Sequence, residues 1–203
     1  MDVGSGYGGL ITSLRKFGGL DFNEPYNPAR EYLYDFEVDR VYQHDSFPNF
    51  YQKKKKYDVV TSFDVLEHID DDDQALQIIH DTLLKRYGFC FITVPAHEWL
   101  WTWLDDKSGH HRRYTKKTLT KKIKDAGFTN ISISYFYLLL IPMSLGSFAY
   151  GKISKQDYHY LYEFKINSST VNHLLERIFS FEENMIRKGT IPFGFNLVAK
   201  MNR

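Results

Sequence analysis

The feature that most constrains this chain is the glycine-rich stretch near its beginning. Residues 1–21 read MDVGSGYGGLITSLRKFGGLD, in which a short β-prone segment is followed by Gly4, Gly6 and Gly8 and then by apolar residues at helical spacing. Glycine permits a tight turn and a close approach of the backbone to a ligand, and a helix N-terminus presents N–H groups to that ligand. The stretch therefore predicts a strand–loop–helix cradle for a nucleotide, with Asp21 as the acceptor for ribose hydroxyls.

The same glycines fit two related patterns. Gly4, Gly6 and Gly9 also satisfy G-x-G-x-x-G, so the glycines alone do not separate NAD from other adenosine ligands. An ordinary glycine-rich turn is the structural alternative, and the position of Asp21 favours the ligand-binding interpretation. Only three residues precede the glycines, whereas strands usually run about 5–6 residues. We therefore expect a truncated first strand.

Composition sets broad limits on the fold and on the partners. A chain of 203 residues predicts one domain spanning 1–203. The formal net charge of +1 gives no overall field for nucleic acid or an anionic membrane, and no apolar run reaches the roughly 20 residues that span a bilayer. The single cysteine, Cys90, excludes an intramolecular disulfide and indicates a reducing, cytoplasmic location.

β-prone runs alternate with helical patterns along the chain. The predicted strands are 1–3, 41–43, 57–63, 89–94, 131–135 and 195–199, and the predicted helices are 10–17, 29–36, 70–84 (ended by Gly88), 115–126 and 171–188. This alternation predicts a parallel sheet with helices on both faces. Residues 137–190 are expected to form a helical lid or insertion before the last strand. Membrane contact through 137–150 is the less favoured interpretation of its apolar part.

Taken in order, these motifs resemble a known family. Asp2–Gly8, Asp21, His44-Asp45 and Asp64–His68 together resemble the class I S-adenosylmethionine-dependent methyltransferases. The later stretch 105–115 is similar to D-x-x-x-G-H-x-R-R-Y-T, the pattern of a type 11/12/23-like subgroup often linked with glycan or lipid biosynthesis. The resemblance implies a Rossmann-like, doubly wound α/β fold with a seven-stranded sheet, mostly parallel with its last strand antiparallel.

The resemblance also implies S-adenosyl-L-methionine as cofactor and assigns its contacts. The implied cofactor-binding residues are Asp2, Gly4, Gly6 and Gly8 for the methionine part, Asp21 for the ribose, His44 and Asp45 for the adenine, and Asp64 and Val65 at the far end. The stretch between Gly8 and Asp21 is shorter than is usual in the family, and Glu24 is the alternative acid for the ribose.

Histidines and a polar loop are the candidates for acceptor chemistry. Methyl transfer from a sulfonium is an in-line displacement for which the protein mainly supplies position and electrostatics. An acceptor that must lose a proton needs a base, and imidazole titrates near neutral pH. His68 and His110 are the predicted catalytic residues, with His97 and His111 as further candidates. The predicted substrate-binding residues are Trp101, Asp105, His110, Arg112, Arg113 and Tyr114.

The stretch 105–115 and the segment 64–68 each allow a second interpretation. Arginine forks match phosphate oxygens. The alternative is an internal salt-bridge network with Asp105 paired to an arginine, and the two roles can coexist. Asp64, Glu67 and His68 form a D-x-x-E-H set that resembles the metal-binding pattern of some ubiquinone-pathway O-methyltransferases. Oxygen-rich ligands suit magnesium. Three ligands within five residues is a weak signal, and the sequence analysis predicts no metal.

The predicted function is S-adenosylmethionine-dependent methyl transfer to a small-molecule acceptor such as a sugar, lipid or isoprenoid hydroxyl, with no nucleic-acid partner. Two alternatives remain. An NAD-dependent oxidoreductase is allowed by the double fit of the glycines, although only one mononucleotide half is evident. A non-catalytic remnant that binds the cofactor is suggested by the short first strand.

Overall fold

A single mixed sheet organises the part of the chain that can be described. The computed structural model describes residues 1–33, 40–42, 55–138, 141, 169–189 and 191–203. Within these ranges seven strands lie in the order β3-β2-β1-β4-β5-β7-β6. Their bounds are β1 Asp2–Val3, β2 Asp21–Asn23, β3 Arg40–Tyr42, β4 Tyr57–Phe63, β5 Leu84–Pro95, β6 Thr129–Phe136 and β7 Asn196–Asn202.

The strand directions confirm the predicted class of fold. The neighbouring pairs among β1 to β5 are parallel, and β7 is antiparallel to both β5 and β6. Strands β1, β2, β4 and β5 therefore end at the same edge of the sheet. Loops that follow these strands carry the glycine stretch and the candidate catalytic residues to that edge.

Helices connect the strands, and two of them, predicted from residues 70 and 115, begin within two residues of those positions. Their bounds are α1 Ile11–Leu14, α2 Asn27–Leu33, α3 Asp72–Ile78, α4 Trp103–Ser108, α5 Lys116–Asp125 and α6 Ser169–Arg187. Asp71 caps α3 by accepting a hydrogen bond from the Gln74 N–H. Thr115 and Thr118 form a reciprocal capping box at the start of α5. Acidic and hydroxyl side chains at helix starts satisfy N–H groups that lack intrahelical partners.

The boundary between α3 and β5 differs from the prediction. The helix was expected to continue through Leu84 and to end at Gly88. Instead α3 ends at Ile78, a wider π-type turn covers Ile79–Leu83, and β5 begins at Leu84. Gly88 lies within β5, where an added Cβ would be 3.0 Å from the Lys85 carbonyl oxygen. The buried apolar residues 83–84 suit a strand as well as a helix, so periodicity alone did not distinguish the two.

Two clusters of buried side chains hold the layers together. The larger one packs α3 and α5 against the sheet through residues such as Leu76, Leu119 and Ile123, all fully buried. A smaller cluster packs Ile11 against Phe22 beneath the glycine loop. Burial of such side chains is the main stabilising contribution in a domain of this size. The smaller cluster fixes the loop between β1 and α1 relative to β2.

Some predictions fall outside the described residues. His44 and Asp45 lie there, as do 142–150 of the apolar segment and most of the predicted insertion 137–190, of which the structure describes α6 in full. Within the ranges given above, none of the helices combines the length and the apolar character needed to cross a membrane.

Candidate functional site

A cleft of about 680 Å³ lies at the carboxyl ends of β1, β2 and β4. Three segments contribute most of its wall. They are the glycine loop with Gly4 and Gly6, the stretch 23–26 after β2, and residues 64–65 with 68–71 after β4. The cleft therefore lies where the chain order of the strands reverses between β1 and β4, which is where open α/β sheets bind ligands.

The glycine loop is held against β2 and against Val65. Gly4 and Gly6 have φ angles of 72° and 52°, in the left-handed region that favours glycine. The N–H groups of Gly4 and Ser5 both donate to the Asn23 carbonyl, at 2.8 and 3.2 Å. A Cβ on Gly4 would lie 2.4 Å from Val65 Cγ2. The loop therefore brings its backbone to the cleft wall at a place where a side chain would not fit.

Gly8 stabilises the turn of the glycine loop and packs against the smaller buried cluster. Its N–H donates to the Ser5 carbonyl at 3.0 Å, and an added Cβ would meet Ile11 and Leu33 of the smaller cluster. Gly8 therefore shapes the turn and the packing of α1, and it does not line the cleft described here.

Glu24 is the acid that faces the glycine loop. Its side chain is buried and lines the cleft. Oε2 accepts a hydrogen bond from the Gly6 N–H at 2.7 Å, and Oε1 accepts one from the Tyr26 N–H at 2.8 Å. An ionised carboxylate offers about four acceptor positions, so two remain for a ligand. The position at the end of β2 makes Glu24 the acid nearest to a ligand in this loop.

The structure contradicts the prediction for Asp21. This residue begins β2, three residues before the cleft edge, and its carboxylate accepts hydrogen bonds from Lys55 Nζ at 2.5 Å and from the Tyr57 hydroxyl at 2.9 Å. Asp21 thus lies at the opposite end of the strand from the glycine loop. The predicted strands did not include one in this region. Because β2 starts at Asp21, the acid at the carboxyl end of that strand is Glu24.

Asp2 also lies away from the cleft surface. Its carboxylate accepts a hydrogen bond from Thr61 Oγ1 at 2.6 Å inside the sheet. Burial raises the pKa of this carboxyl above its usual value. Asp2 therefore supports β1 and β4 from within rather than contributing to the cleft wall.

Asp64 and Val65, both predicted to contact the cofactor, line the cleft. Asp64 has a φ of 54°, which is uncommon for a residue other than glycine. Its Oδ1 accepts hydrogen bonds from Thr93 Oγ1 at 3.1 Å and from Asn196 Nδ2 at 3.2 Å. These bonds tie the end of β4 to β5 and β7, and they fix the turn that presents Val65 to Gly4. Unusual backbone conformations of this kind cluster at functional sites.

Next to this turn, Glu67 is a fully buried carboxyl with an unusual environment. Among the described residues, neither of its carboxylate oxygens has a hydrogen-bond partner. Burial raises the pKa of the Glu67 carboxyl to about 8. His68 follows it, lines the cleft and is exposed, and its ring lies 4.6 Å from that of His110, edge to face. The two predicted catalytic histidines are therefore neighbours.

His110 is held by a buried acid. Its Nδ1 lies 2.8 Å from Asp105 Oδ1, and Arg113 donates to both oxygens of Asp105 through Nε and Nη2 at 2.8 Å each. Thr102 donates to the same carboxylate through its N–H and its hydroxyl. Although burial alone would raise it, these hydrogen bonds hold the pKa of Asp105 below its usual value. Asp105 is therefore an anion that orients His110.

These contacts favour the internal-network alternative for Asp105 and Arg113. Both are buried, and the third group of the arginine fork, Nη1, donates to the Ala96 carbonyl at 3.1 Å. Their predicted role in binding a substrate directly is therefore replaced by a role in positioning. The D-x-x-x-G-H-x-R-R-Y-T pattern identified the loop, but the pattern could not show which of its charges were paired with each other.

Arg112, Tyr114 and Trp101 anchor the loop to its surroundings. Arg112 donates to the Ile69 and Asp70 carbonyls at 2.7 and 2.9 Å, and Tyr114 donates its hydroxyl to Asp72 at 2.8 Å. Trp101 Nε1 donates to an aspartate of α4 at 3.0 Å. Tyr114 is buried, and Arg112 binds the backbone of Ile69 and Asp70, two residues that line the cleft. Of the predicted substrate-binding set, Asp105 and His110 are the residues whose side chains contact a predicted catalytic histidine.

A further histidine lies in an aromatic cluster. The ring of His97 stacks on Tyr135 at 5.1 Å and packs on Phe193 at 4.5 Å, and Trp99 stacks on Phe193 at 6.0 Å. Burial lowers the pKa of His97. His97 is therefore a packed, neutral histidine near the end of β5, and its candidacy as a base is replaced by a packing role.

The cleft and the fold agree with the comparisons to known proteins. The sequence profile of a family described as a methyltransferase domain matches residues 1–133. An S-adenosylmethionine-dependent methyltransferase from Thermotoga maritima, described as a possible histamine N-methyltransferase, superimposes with a TM-score of 0.63 at 14% identity, over 99% of this chain and 79% of that chain. A second such enzyme, from Archaeoglobus fulgidus, gives 0.60 at 18% identity over 100% and 84%.

Phosphoethanolamine N-methyltransferase 2 of Haemonchus contortus, solved with S-adenosyl-L-methionine, gives a TM-score of 0.56 at 17% identity over 100% of this chain and 47% of that chain. At these identities the structural likeness shows the fold. No curated protein sequence matches this chain significantly. Because the family profile covers residues 1–133 of 203, the chain belongs to the methyltransferase-domain family, and the predicted enzyme class and its methyl donor, S-adenosylmethionine, are confirmed.

Proposed function

We propose that this chain transfers the methyl group of S-adenosylmethionine to the hydroxyl of a small-molecule acceptor that binds beside His68 and His110. The observation that carries the proposal is the meeting of three features in one cleft. These are the glycine loop, the buried Glu24 that follows β2, and the exposed His68, whose ring packs against that of His110. A cofactor site and a proton acceptor are therefore adjacent, as methyl transfer to a hydroxyl requires.

The residues of the cleft fit the cofactor. Among the described residues, none has an atom within 4 Å of the position that a Cβ on Gly6 would take, so the loop leaves room for a ligand against its backbone. Glu24 keeps acceptor capacity on both oxygens after its bonds to the loop. We assign Gly4 and Gly6 to the methionine part, Glu24 in place of Asp21 to the ribose hydroxyls, and residues 64–65 to the far end.

When bound, the cofactor supplies a methyl group on a positively charged sulfur. The protein must then position the acceptor and take its proton. Asp105 is ionised and accepts a hydrogen bond from the Nδ1–H of His110, so in the neutral imidazole Nε2 is the nitrogen with the lone pair. We assign His110 Nε2 as the general base, Asp105 as its positioning residue and His68 as the acceptor contact at the cleft surface.

The occupied arginines favour a neutral acceptor group. Arg113 donates to Asp105 and the Ala96 carbonyl, and Arg112 donates to the Ile69 and Asp70 carbonyls, so their forks are engaged by the protein itself. A phosphate clamp would need at least one of them to leave these partners. We therefore favour a sugar, lipid or isoprenoid hydroxyl over an acceptor recognised through its phosphate.

The proposal is tested in two steps. Calorimetric titration of the full chain with S-adenosylmethionine and S-adenosylhomocysteine, with NAD as control, should give binding near −8 kcal/mol, a dissociation constant of about 1 μM, for the first two alone. Release of S-adenosylhomocysteine is then followed with hydroxyl acceptors of the three classes and with phosphoethanolamine, the substrate in the name of one structural neighbour. Binding of NAD alone would support the oxidoreductase alternative. Turnover of any acceptor would exclude the non-catalytic remnant.

A further inference from the structure

The unpartnered carboxylate of Glu67 is a strong signal of an unassigned ligand. The side chain has 0% exposure, and neither oxygen finds a hydrogen-bond donor in the described parts of the chain. Burial of an acid without a partner is costly, and buried charges in proteins are usually paired or coordinate metals. Both oxygens of Glu67 are therefore available to a cation.

Two imidazoles converge on the same point. Glu67 and His68 come from the short 3-10 turn Leu66–His68 after β4, and His110 comes from the loop after α4. One ligand atom from each of Glu67, His68 and His110 can be chosen so that all lie within 4.8 Å of one another. Residues up to 43 positions apart in the chain thus present one carboxylate oxygen and two ring nitrogens to a common space.

His110 also carries the support that a metal-ligating histidine usually has. Its Nδ1 bonds to Asp105 at 2.8 Å, and Asp105 is itself held by Arg113 and Thr102. Metal-bound histidines typically donate their second ring N–H to a carboxylate or a carbonyl, which fixes the tautomer and the ring orientation. The network therefore orients Nε2 of His110 as a ligand atom.

We propose that Glu67, His68 and His110 bind a divalent metal ion of intermediate softness, with Zn²⁺ as the expected cation. Two nitrogens and one carboxylate oxygen form a catalytic-type zinc set that leaves a position for a further ligand, and imidazole disfavours magnesium. The set differs from D-x-x-E-H because Asp64 bonds to Thr93 and Asn196, and His110 takes its place.

Metal binding would require the three ligand atoms to move closer together. Bonds of about 2.0–2.2 Å place the ligand atoms of a tetrahedral zinc site roughly 3.3 Å apart, compared with the 4.8 Å limit observed here. The exposed side chain of His68 can supply this movement by rotation. Because His68 lines the cleft, the proposed ion would lie beside the space proposed for the acceptor.

The proposed metal site is argued from side-chain geometry, whereas its role in activating the acceptor rests on the proposed function. A cation in this position would make an acceptor hydroxyl lose its proton more readily. His110 Nε2 would then be occupied by the metal ion, and the proton of the acceptor hydroxyl would pass to solvent water in the cleft instead.

The test uses the full chain after treatment with a chelator. Isothermal titration with Zn²⁺, with Mg²⁺ for comparison, is combined with Co²⁺ titration, in which visible absorption reports coordination by nitrogen ligands. We expect one Zn²⁺ per chain, and we expect Glu67→Gln and His110→Gln to abolish this stoichiometric binding. His111→Gln is the matched control, because His111 is adjacent, exposed and outside the cluster, and it should bind as the unsubstituted protein does.

Circular dichroism of each variant shows whether it has folded, and His68→Gln serves as a second ligand variant if Glu67→Gln does not fold. Equal Zn²⁺ binding by ligand and control variants would overturn the site, as would absence of Zn²⁺ binding by an unsubstituted chain that binds S-adenosylhomocysteine. That second result would leave the proposed cofactor site intact. Zn²⁺ binding that depends on Glu67 and His110, without S-adenosylhomocysteine binding, would support the metal site and contradict the proposed function.

Discussion

Replacing Gly4 by alanine tests the close contact between the glycine loop and Val65, just after β4. Gly4 has a φ of 72°, and an added Cβ would lie 2.4 Å from Val65 Cγ2 and 3.1 Å from Cγ1. A left-handed conformation costs an ordinary residue about 1–2 kcal/mol, and forcing an extra methyl into a packed contact costs about 1–3 kcal/mol. We therefore expect Gly4→Ala to reduce the free energy of unfolding by about 2–5 kcal/mol.

Gly6→Ala is the matched control. Gly6 has a φ of 52°, and no atom in the described part of the chain lies within 4 Å of an added Cβ. Gly6→Ala should therefore cost about 1–2 kcal/mol of unfolding free energy from the backbone alone. The assay is urea unfolding followed by circular dichroism, with Val65→Ala and the Gly4→Ala/Val65→Ala pair completing a double-mutant cycle. We expect a coupling energy of about 1–3 kcal/mol, since removal of the valine methyls relieves the contact. Equal losses for the two glycine variants, or no coupling with Val65, would refute the close approach.

Three further predictions concern stability. Thr115→Ala should lower the free energy of unfolding by about 1 kcal/mol in urea unfolding, because the N–H of Thr118 loses its cap; no loss would contradict the capping box. Tyr114→Phe should cost about 1–3 kcal/mol in the same assay, since Asp72 loses a buried donor. Glu67 has a folded-state pKa of about 8, above its unfolded value, so the folded state of the chelator-treated protein binds the extra proton. Its stability should therefore fall as pH rises from about 4.5 to 8, by up to 1.36 kcal/mol per unit, and Glu67→Gln should flatten that slope.

Local sequence signals determined the parts of the fold that depend on neighbouring residues. The glycine loop, the cap at Asp71 and the capping box at Thr115 follow from short-range steric and hydrogen-bonding rules, and each is present. The boundary at Leu84 was missed because a buried pair of leucines satisfies helix and strand patterns alike. The strand there is chosen by pairing with β4, which is a long-range contact.

The sequence predicted which segments form the candidate site, but not which of their side chains bond to each other. The family motifs pointed to the loop of His110 and to the turn with His68, and the structure makes these two residues neighbours. The sequence could not show that Arg113 is committed to Asp105, because that choice depends on how α4 packs beside the loop. Glu67 gave no signal of its own beyond the D-x-x-E-H pattern, since burial without a partner is visible only in three dimensions.

The most direct test of the central claim is calorimetric titration of S-adenosylhomocysteine into Glu24→Gln and Asp21→Asn. Glu24 lies against the glycine loop, whereas Asp21 binds Lys55 and Tyr57 at the other end of β2. Hydrogen bonds to a charged group contribute about 1.5–3 kcal/mol, so Glu24→Gln should weaken binding by roughly 10- to 100-fold. Asp21→Asn, confirmed as folded by circular dichroism, should bind as the unsubstituted chain does. A large loss for Asp21→Asn with unchanged binding by Glu24→Gln would contradict the account.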